Sequence, residues 1–176
     1  APDHPVTVNA VSGYTGGGKA MIRDYEDGTA PAFQVYGLGL SHKHVPELQR
    51  FAALTRQPIF LPSVGNFPQG MLVSVPLHLE TLKGRARAAD LRDLLRAHYA
   101  GSAVGTEPLV RVADDDDAAY EAGRLVAPTN DTDRMTLYVF GRDDVGHAVL
   151  VAQLDNLGKG ASGAAVQNMQ LALGML

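Results

Sequence analysis

Two apolar runs, Met135 to Phe140 and His147 to Leu154, are separated by Gly141-Arg142-Asp143-Asp144-Val145-Gly146. That connection is too short to hold a crossover helix, so the runs must pair antiparallel as a hairpin. A regularly alternating, doubly wound parallel sheet is thereby excluded.

The rest of the chain supplies the partners. Val6 to Val11 alternates as a strand, Ser12-Gly13-Tyr14-Thr15-Gly16-Gly17-Gly18-Lys19 is a glycine turn, and Ala20 to Tyr25 is a helix former. Phe33 to Leu40 reads as a second strand. Pro46 suits a first helical turn, after which Leu48, Phe51, Ala52 and Thr55 share one face. Pro58 to Leu61 and Gln69 to Leu79 are further strands, with Pro76 marking an edge or a bulge. Arg87 to Tyr99 is an amphipathic helix with Leu91, Leu94, Leu95 and His98 on one side, stopped at Gly101. A strand near Pro108 to Val112 follows, then the acidic run Asp114 to Asp117, read as solvated, and the chain closes with a helix from Ala164 to Leu173.

These elements predict an α+β domain: a mixed, mainly antiparallel sheet with helices on one face. Val73, Val75, Leu77 and Leu79 fill one side of their strand, while Met135, Leu137 and Val139 back onto Tyr138 and Phe140. A sheet apolar on both faces needs a second cover, so a homodimer or homotetramer built sheet against sheet is expected.

The 176 residues carry 15 basic and 19 acidic side chains and no basic run, which argues against nucleic acid or an anionic membrane as partner. No apolar stretch approaches the ~20 residues of a spanning helix. The absence of cysteine fits a cytoplasmic protein, and an opening on Ala1-Pro2-Asp3 suggests a cut within a longer one.

Three constellations could carry chemistry. Gly13-x-x-x-x-Gly18-Lys19 nearly matches a nucleotide-binding loop, but Ala20 stands where a magnesium-binding hydroxyl is needed. What survives is a cradle of backbone amides beside Lys19, suited to an anionic group, or else a plain glycine turn. In His42-Lys43-His44-Val45-Pro46-Glu47, the spacing of His44 and Glu47 lets a carboxylate orient an imidazole for general acid/base work. Zinc and ordinary surface histidines are the alternatives. Asp155-Asn156-Leu157-Gly158-Lys159-Gly160-Ala161-Ser162-Gly163 opens the last helix with exposed amides, without the βαβ unit of a Rossmann fingerprint. Neither Asp114 to Asp117 nor Asn130-Asp131-Thr132-Asp133 has a calcium-loop pattern, and no metal site is assigned.

The strings Val8 to Lys19, Leu40 to Glu47, Pro62 to Met71 and Leu154 to Asn168 closely resemble N-acetyl-γ-glutamyl-phosphate reductases in their shorter bacterial form. The resemblance implies a fold like the second domain of glyceraldehyde-3-phosphate dehydrogenase. It also implies NADP-dependent reduction of an acyl phosphate to a semialdehyde, in arginine biosynthesis. In that family a cysteine thiolate is the nucleophile and a dinucleotide-binding half lies upstream; this sequence has neither. Residues 1–154 would then be the catalytic and dimerisation domain, and residues 155–176 the loop and helix that return to the dinucleotide-binding domain. By the same resemblance His44, oriented by Glu47, is the acid/base, with His42 as fallback. Ser12, Gly13 and Lys19 would hold substrate oxygens, and Asn156, Gly158, Lys159 and Gly160 would lie against the nicotinamide. The alternatives are a non-catalytic dimerisation module and a lysine-pathway aminoadipyl-phosphate reductase domain.

Overall fold

Strands β8 (Met135–Arg142) and β9 (His147–Leu154) form the expected hairpin, in register from Met135 opposite Leu154 to Arg142 opposite His147. This hairpin belongs to a computed structural model that describes residues 2–82, 84, 86–100, 103–104, 107–127 and 131–175. Ahead of it run β1 (Thr7–Gly13), α1 (Gly18–Glu26), β2 (Phe33–Val35), α2 (Val45–Phe51), β3 (Ile59–Gly65) and β4 (Met71–His78). Then come α3 (Ala88–Tyr99), β5 (Ala103–Val104), β6 (Glu107–Pro108), β7 (Val110–Val112) and α4 (Ala118–Ala122), and α5 (Gly163–Ala172) closes the described chain.

Seven strands make one sheet in the order β2-β3-β1-β4-β9-β8-β7. The β1–β3 and β7–β8 pairs are parallel and the other four antiparallel, the mixed and mainly antiparallel sheet that the hairpin demands. Val8, Ala10 and Phe60 pack on Val45 of α2, and Met71, Val73 and Val75 lie against them. Burying a side chain the size of Val8 or Phe60 contributes roughly 2 kcal/mol. Register carries that face across the sheet from Ala10 through Val73 and Ala152 to Leu137. Gly141, on the same side, leaves the room that Ala88 of α3 fills. The two helices therefore share a face. Against the opposite face, Gly123 to Leu125 line a cavity with Val11, Leu72, Phe140, Val149 and Val151.

Several local expectations need correction. The second strand stops at Val35 rather than Leu40, because the chain turns at Gly37 (φ 65°) and Leu40 N–H bonds the Gly37 carbonyl at 2.9 Å. Helix α2 ends at Phe51, which is 83% exposed, so the face drawn through Phe51, Ala52 and Thr55 does not exist. In α3, Leu94 is 65% exposed and His98 faces solvent. The helix turns in Arg92 and Arg96, which pair with Asp115, while the Arg92 guanidinium lies 4.8 Å over the Tyr120 ring. Paired charges and a cation–π contact outweigh one leucine here. The acidic run is thus tied down rather than merely solvated, and Asp117 also caps α4 by accepting from Ala119 N–H at 3.0 Å. Pro76 sits in a strand flanked on both sides, but β1 pairs with β4 no further than Ser74, so at Pro76 the strand has one neighbour. Gly101 and Asn130 lie outside the described residues.

Helix α3 starts on the hairpin turn, where Asp143 Oδ1 accepts from Ala88 N–H at 3.0 Å. Asp143→Ala should cost about 1 kcal/mol, as loss of a helix cap does, read as a lower urea midpoint at unchanged slope.

Candidate functional site

Parallel pairing of β1 with β3 brings Gly13 beside Gly65, and antiparallel pairing sets Met71 opposite both Ser12 and Leu154. The end of β1, the start of β4 and the end of β9 therefore meet at one edge of the sheet. The loops that leave them, with the turn before α2, enclose a cavity of about 160 Å³. His44, Ser12, Gly13, Asn156 and Gly160 all line it, so the three constellations read from sequence share one pocket, walled by Tyr36 and Phe60.

The two imidazoles have different surroundings. His44 stands at the N-cap position of α2 without a side-chain capping bond and lines the cavity, while its backbone N–H donates to Nδ1 of His42 at 3.2 Å. As an acceptor, His42 Nδ1 carries no proton, which fixes the neutral tautomer with hydrogen on Nε2. Burial, reinforced by the nearby His44 and Lys43 charges, lowers the His42 pKa and holds it in that form. Its ring packs edge-on against Phe60 at 5.2 Å, against His44 at 4.8 Å and against Tyr36 at 5.8 Å. Burial raises the Tyr36 pKa, so its hydroxyl stays protonated at the cavity wall.

On the opposite side Asn156 is buried, and its carboxamide is engaged at both ends. Oδ1 accepts from Gly70 N–H at 2.7 Å and Nδ2 donates to Thr15 Oγ1 at 2.9 Å. Asp155 beside it is 1% exposed. Its carboxylate accepts from Gln69 Nε2 at 2.7 Å, Asp131 N–H at 2.7 Å and Leu157 N–H at 2.8 Å. Burial pushes its pKa up, but these donors together with the Gly158 amide outweigh that and hold it below the usual carboxylate range. Gly158 packs under the Thr132 carbonyl. Lys159 turns its Nζ to Gln167 Oε1 at 2.7 Å, and its pKa falls because burial outweighs the Asp133 charge. Gly160 therefore meets the cavity, while the Lys159 amine is committed to α5.

Of the residues expected from sequence, His42, Gly158, Lys159, Lys19 and Glu47 are outside the cavity lining. Lys19 is exposed near the start of α1 and does not line the cavity. Glu47 lies in the first turn of α2 and, among the described residues, makes no hydrogen bond or ion pair with His44. Within the glycine loop Tyr14–Gly17 is one 3₁₀ turn, Gly18 at φ 80° redirects the chain into α1, and the Gly13, Tyr14 and Thr15 amides donate to the Gly70, Phe67 and Pro68 carbonyls. The sequence strings contain Thr15 and Asp155 but assign no role to them or to Gln69, although all three bond to the segments around the cavity. An aspartate ending an apolar strand just before an Asn-x-Gly loop is the signal that could have found Asp155. Among the described residues no group of three or more His, Asp or Glu could hold a metal ion.

A family model described as semialdehyde dehydrogenase, dimerisation domain, matches residues 1–156. The N-acetyl-gamma-glutamyl-phosphate reductase of Brucella anthropi is 52% identical over 98% of this chain and 55% of that protein. The one from Brucella ovis is 51% identical over 98% and 56%. The chain thus spans about half the length of the curated relatives it matches. Among solved structures, aspartate semialdehyde dehydrogenase II from Vibrio cholerae aligns with a TM-score of 0.57 at 16% identity, covering 95% of this chain and 54% of that one. A probable aspartate-semialdehyde dehydrogenase from Pseudomonas aeruginosa gives 0.56 at 15%, covering 96% and 55%. The fold is the one these structures share.

A depressed carboxylate at Asp155 makes stability pH-dependent with a definite sign. The unfolded chain takes up the proton first, so the stabilisation is full above an ordinary aspartate pKa of about 3.9 and is lost as pH falls through the lower folded value. Asp155→Asn should lose about 2 kcal/mol at neutral pH and show a shallower decline between about pH 5 and pH 2, measured by urea unfolding at stepped pH.

Proposed function

This chain belongs to the semialdehyde dehydrogenase dimerisation-domain family, and we propose that it is the proton-handling half of an N-acetyl-gamma-glutamyl-phosphate reductase. The observation that carries the reading is the shared cavity: His44, Ser12, Gly13, Asn156 and Gly160 come from three separate segments and line one pocket.

The reaction needs a nucleophile, a proton donor and acceptor, and polar groups for a developing oxyanion. The chain has no cysteine, so the thiolate would come from an upstream portion of a longer protein. His44 would give a proton to, or take one from, the substrate's carbonyl-derived oxygen. His42 stands behind it as a positioning residue, its Nδ1 holding the His44 backbone and its ring backing the His44 ring. The Ser12 and Tyr36 hydroxyls, which line the cavity, would contact substrate oxygens beside Gly13; Lys19 and Glu47, outside that lining, would act on the substrate only at longer range.

For NADP, Gly160 and Asn156 are suitable neighbours of a nicotinamide ring, since Gly160 presents no side chain at the cavity and the Asn156 amide is held rigidly beside it. When bound, that group supplies the redox chemistry. Residues 155–176 would pass from this domain back to the dinucleotide-binding half, and Val166, Met169, Leu171 and Leu173 of that segment are indeed exposed. Self-association would use the sheet face bearing Val11, Leu72, Val149 and Val151. The setting would be cytoplasmic arginine biosynthesis; among the described residues no helix is long and apolar enough to cross a membrane.

The test is phosphate-dependent reduction of NADP by N-acetylglutamate semialdehyde, followed as NADPH absorbance. The longer protein should be active and the 176-residue chain inactive; activity in the chain alone would contradict the missing-thiolate argument. His44→Asn should lower kcat about 100-fold and His42→Asn about tenfold, and full turnover in both variants would overturn the assignment. Light scattering of the chain should report a dimer, which Val151→Lys converts to monomer.

A further inference from the structure

Thr15 does not line the cavity, yet its side chain touches both segments that border it. Its hydroxyl donates to the Pro68 carbonyl at 2.6 Å and accepts from Asn156 Nδ2 at 2.9 Å, so its single proton and one lone pair bind two different loops. Asn156 passes the connection on by accepting from Gly70 N–H at 2.7 Å, and Gly70 returns it to the first loop by accepting from Gly13 N–H at 2.9 Å. The circuit runs Thr15, Asn156, Gly70, Gly13 and closes on itself. Space inside it is tight: a Cβ on Gly13 would stand 2.6 Å from the Pro68 backbone, and one on Gly16 would stand 3.5 Å from Asn156 Nδ2.

We propose that Thr15 is a positioning residue, whose hydroxyl clasps the glycine turn, the loop before β4 and the Asn156–Gly160 loop together and so sets the width of the pocket between Gly16 and Gly160. Its effect on turnover rests on the reductase reading above; its effect on the clasp does not. Hydroxyl loss strips one acceptor from Asn156 and one donor from Pro68, and the carboxamide is then free to rotate away from Gly70.

Thr15→Val keeps shape and removes the hydroxyl, while Thr15→Ser keeps the hydroxyl. In the longer reductase, Thr15→Val should lower kcat about tenfold with the semialdehyde KM within about twofold, and Thr15→Ser should restore most of the rate. In the 176-residue chain, amide exchange at Gly70 should quicken about tenfold in Thr15→Val, with the amides of the β8–β9 hairpin unchanged. Unaltered Gly70 exchange overturns the proposal, as does equal acceleration throughout the hairpin or a Thr15→Ser variant as impaired as Thr15→Val. A wild-type longer protein without reductase activity would sink the functional reading instead, and the exchange result would still decide the clasp.

Discussion

A carboxylate buried to 1% exposure cannot exist without donors, and Asp155 finds them on three separate stretches of chain. Gln69 comes from the loop before β4, Asp131 from the segment before β8, and Leu157 from the turn that follows β9. Satisfying one ion therefore fixes where three loops end. Asn156 can then reach Gly70 and Thr15 because its neighbour is immobilised, and Gly160 is folded back by its own N–H bond to the Asp155 carbonyl at 2.8 Å. The pocket is a by-product of this convergence. Its walls come from strands that pair early in the register, and its rim from loops that a single charge gathers.

Glycine has a different role here from the one its spacing first suggests. Gly13, Gly16 and Gly17 recur as they would in a loop that wraps phosphate, and all three border the pocket, yet protein also crowds them. A side chain on Gly13 would strike the Pro68 backbone, and one on Gly17 would strike Met21. Gly163 faces Asp133 in the same way at the start of α5. At Gly13 the lack of a side chain is what lets the glycine turn lie against the Pro68 backbone.

Much of the fold was legible in the sequence because local signals and tertiary demands agreed. The hairpin of β8 and β9 followed from a short turn between two alternating runs, and α2 began where Pro46 said it should. Sheet order could not be read, since nothing in the chain says that β4 pairs with β9 across the intervening α3. Errors arose where one interaction overrode a pattern. Leucine periodicity put Leu94 inside, while Arg92 and Arg96 took that face to meet Asp115 and Tyr120. For the site, residue types were readable and partners were not. His44 and Asn156 were named from strings, but Glu47 was assigned to His44 by spacing, and the group that actually touches the His44 backbone is His42. Thr15 and Gln69 bond to residues far along the chain, a relation that no local window contains.

Both borders of the sheet, β2 and β7, are three residues long. So brief a row of unpaired amides and carbonyls offers little template for an added strand, which guards against fibre-like stacking from end to end. A strand added at either border would find at most three partner residues there.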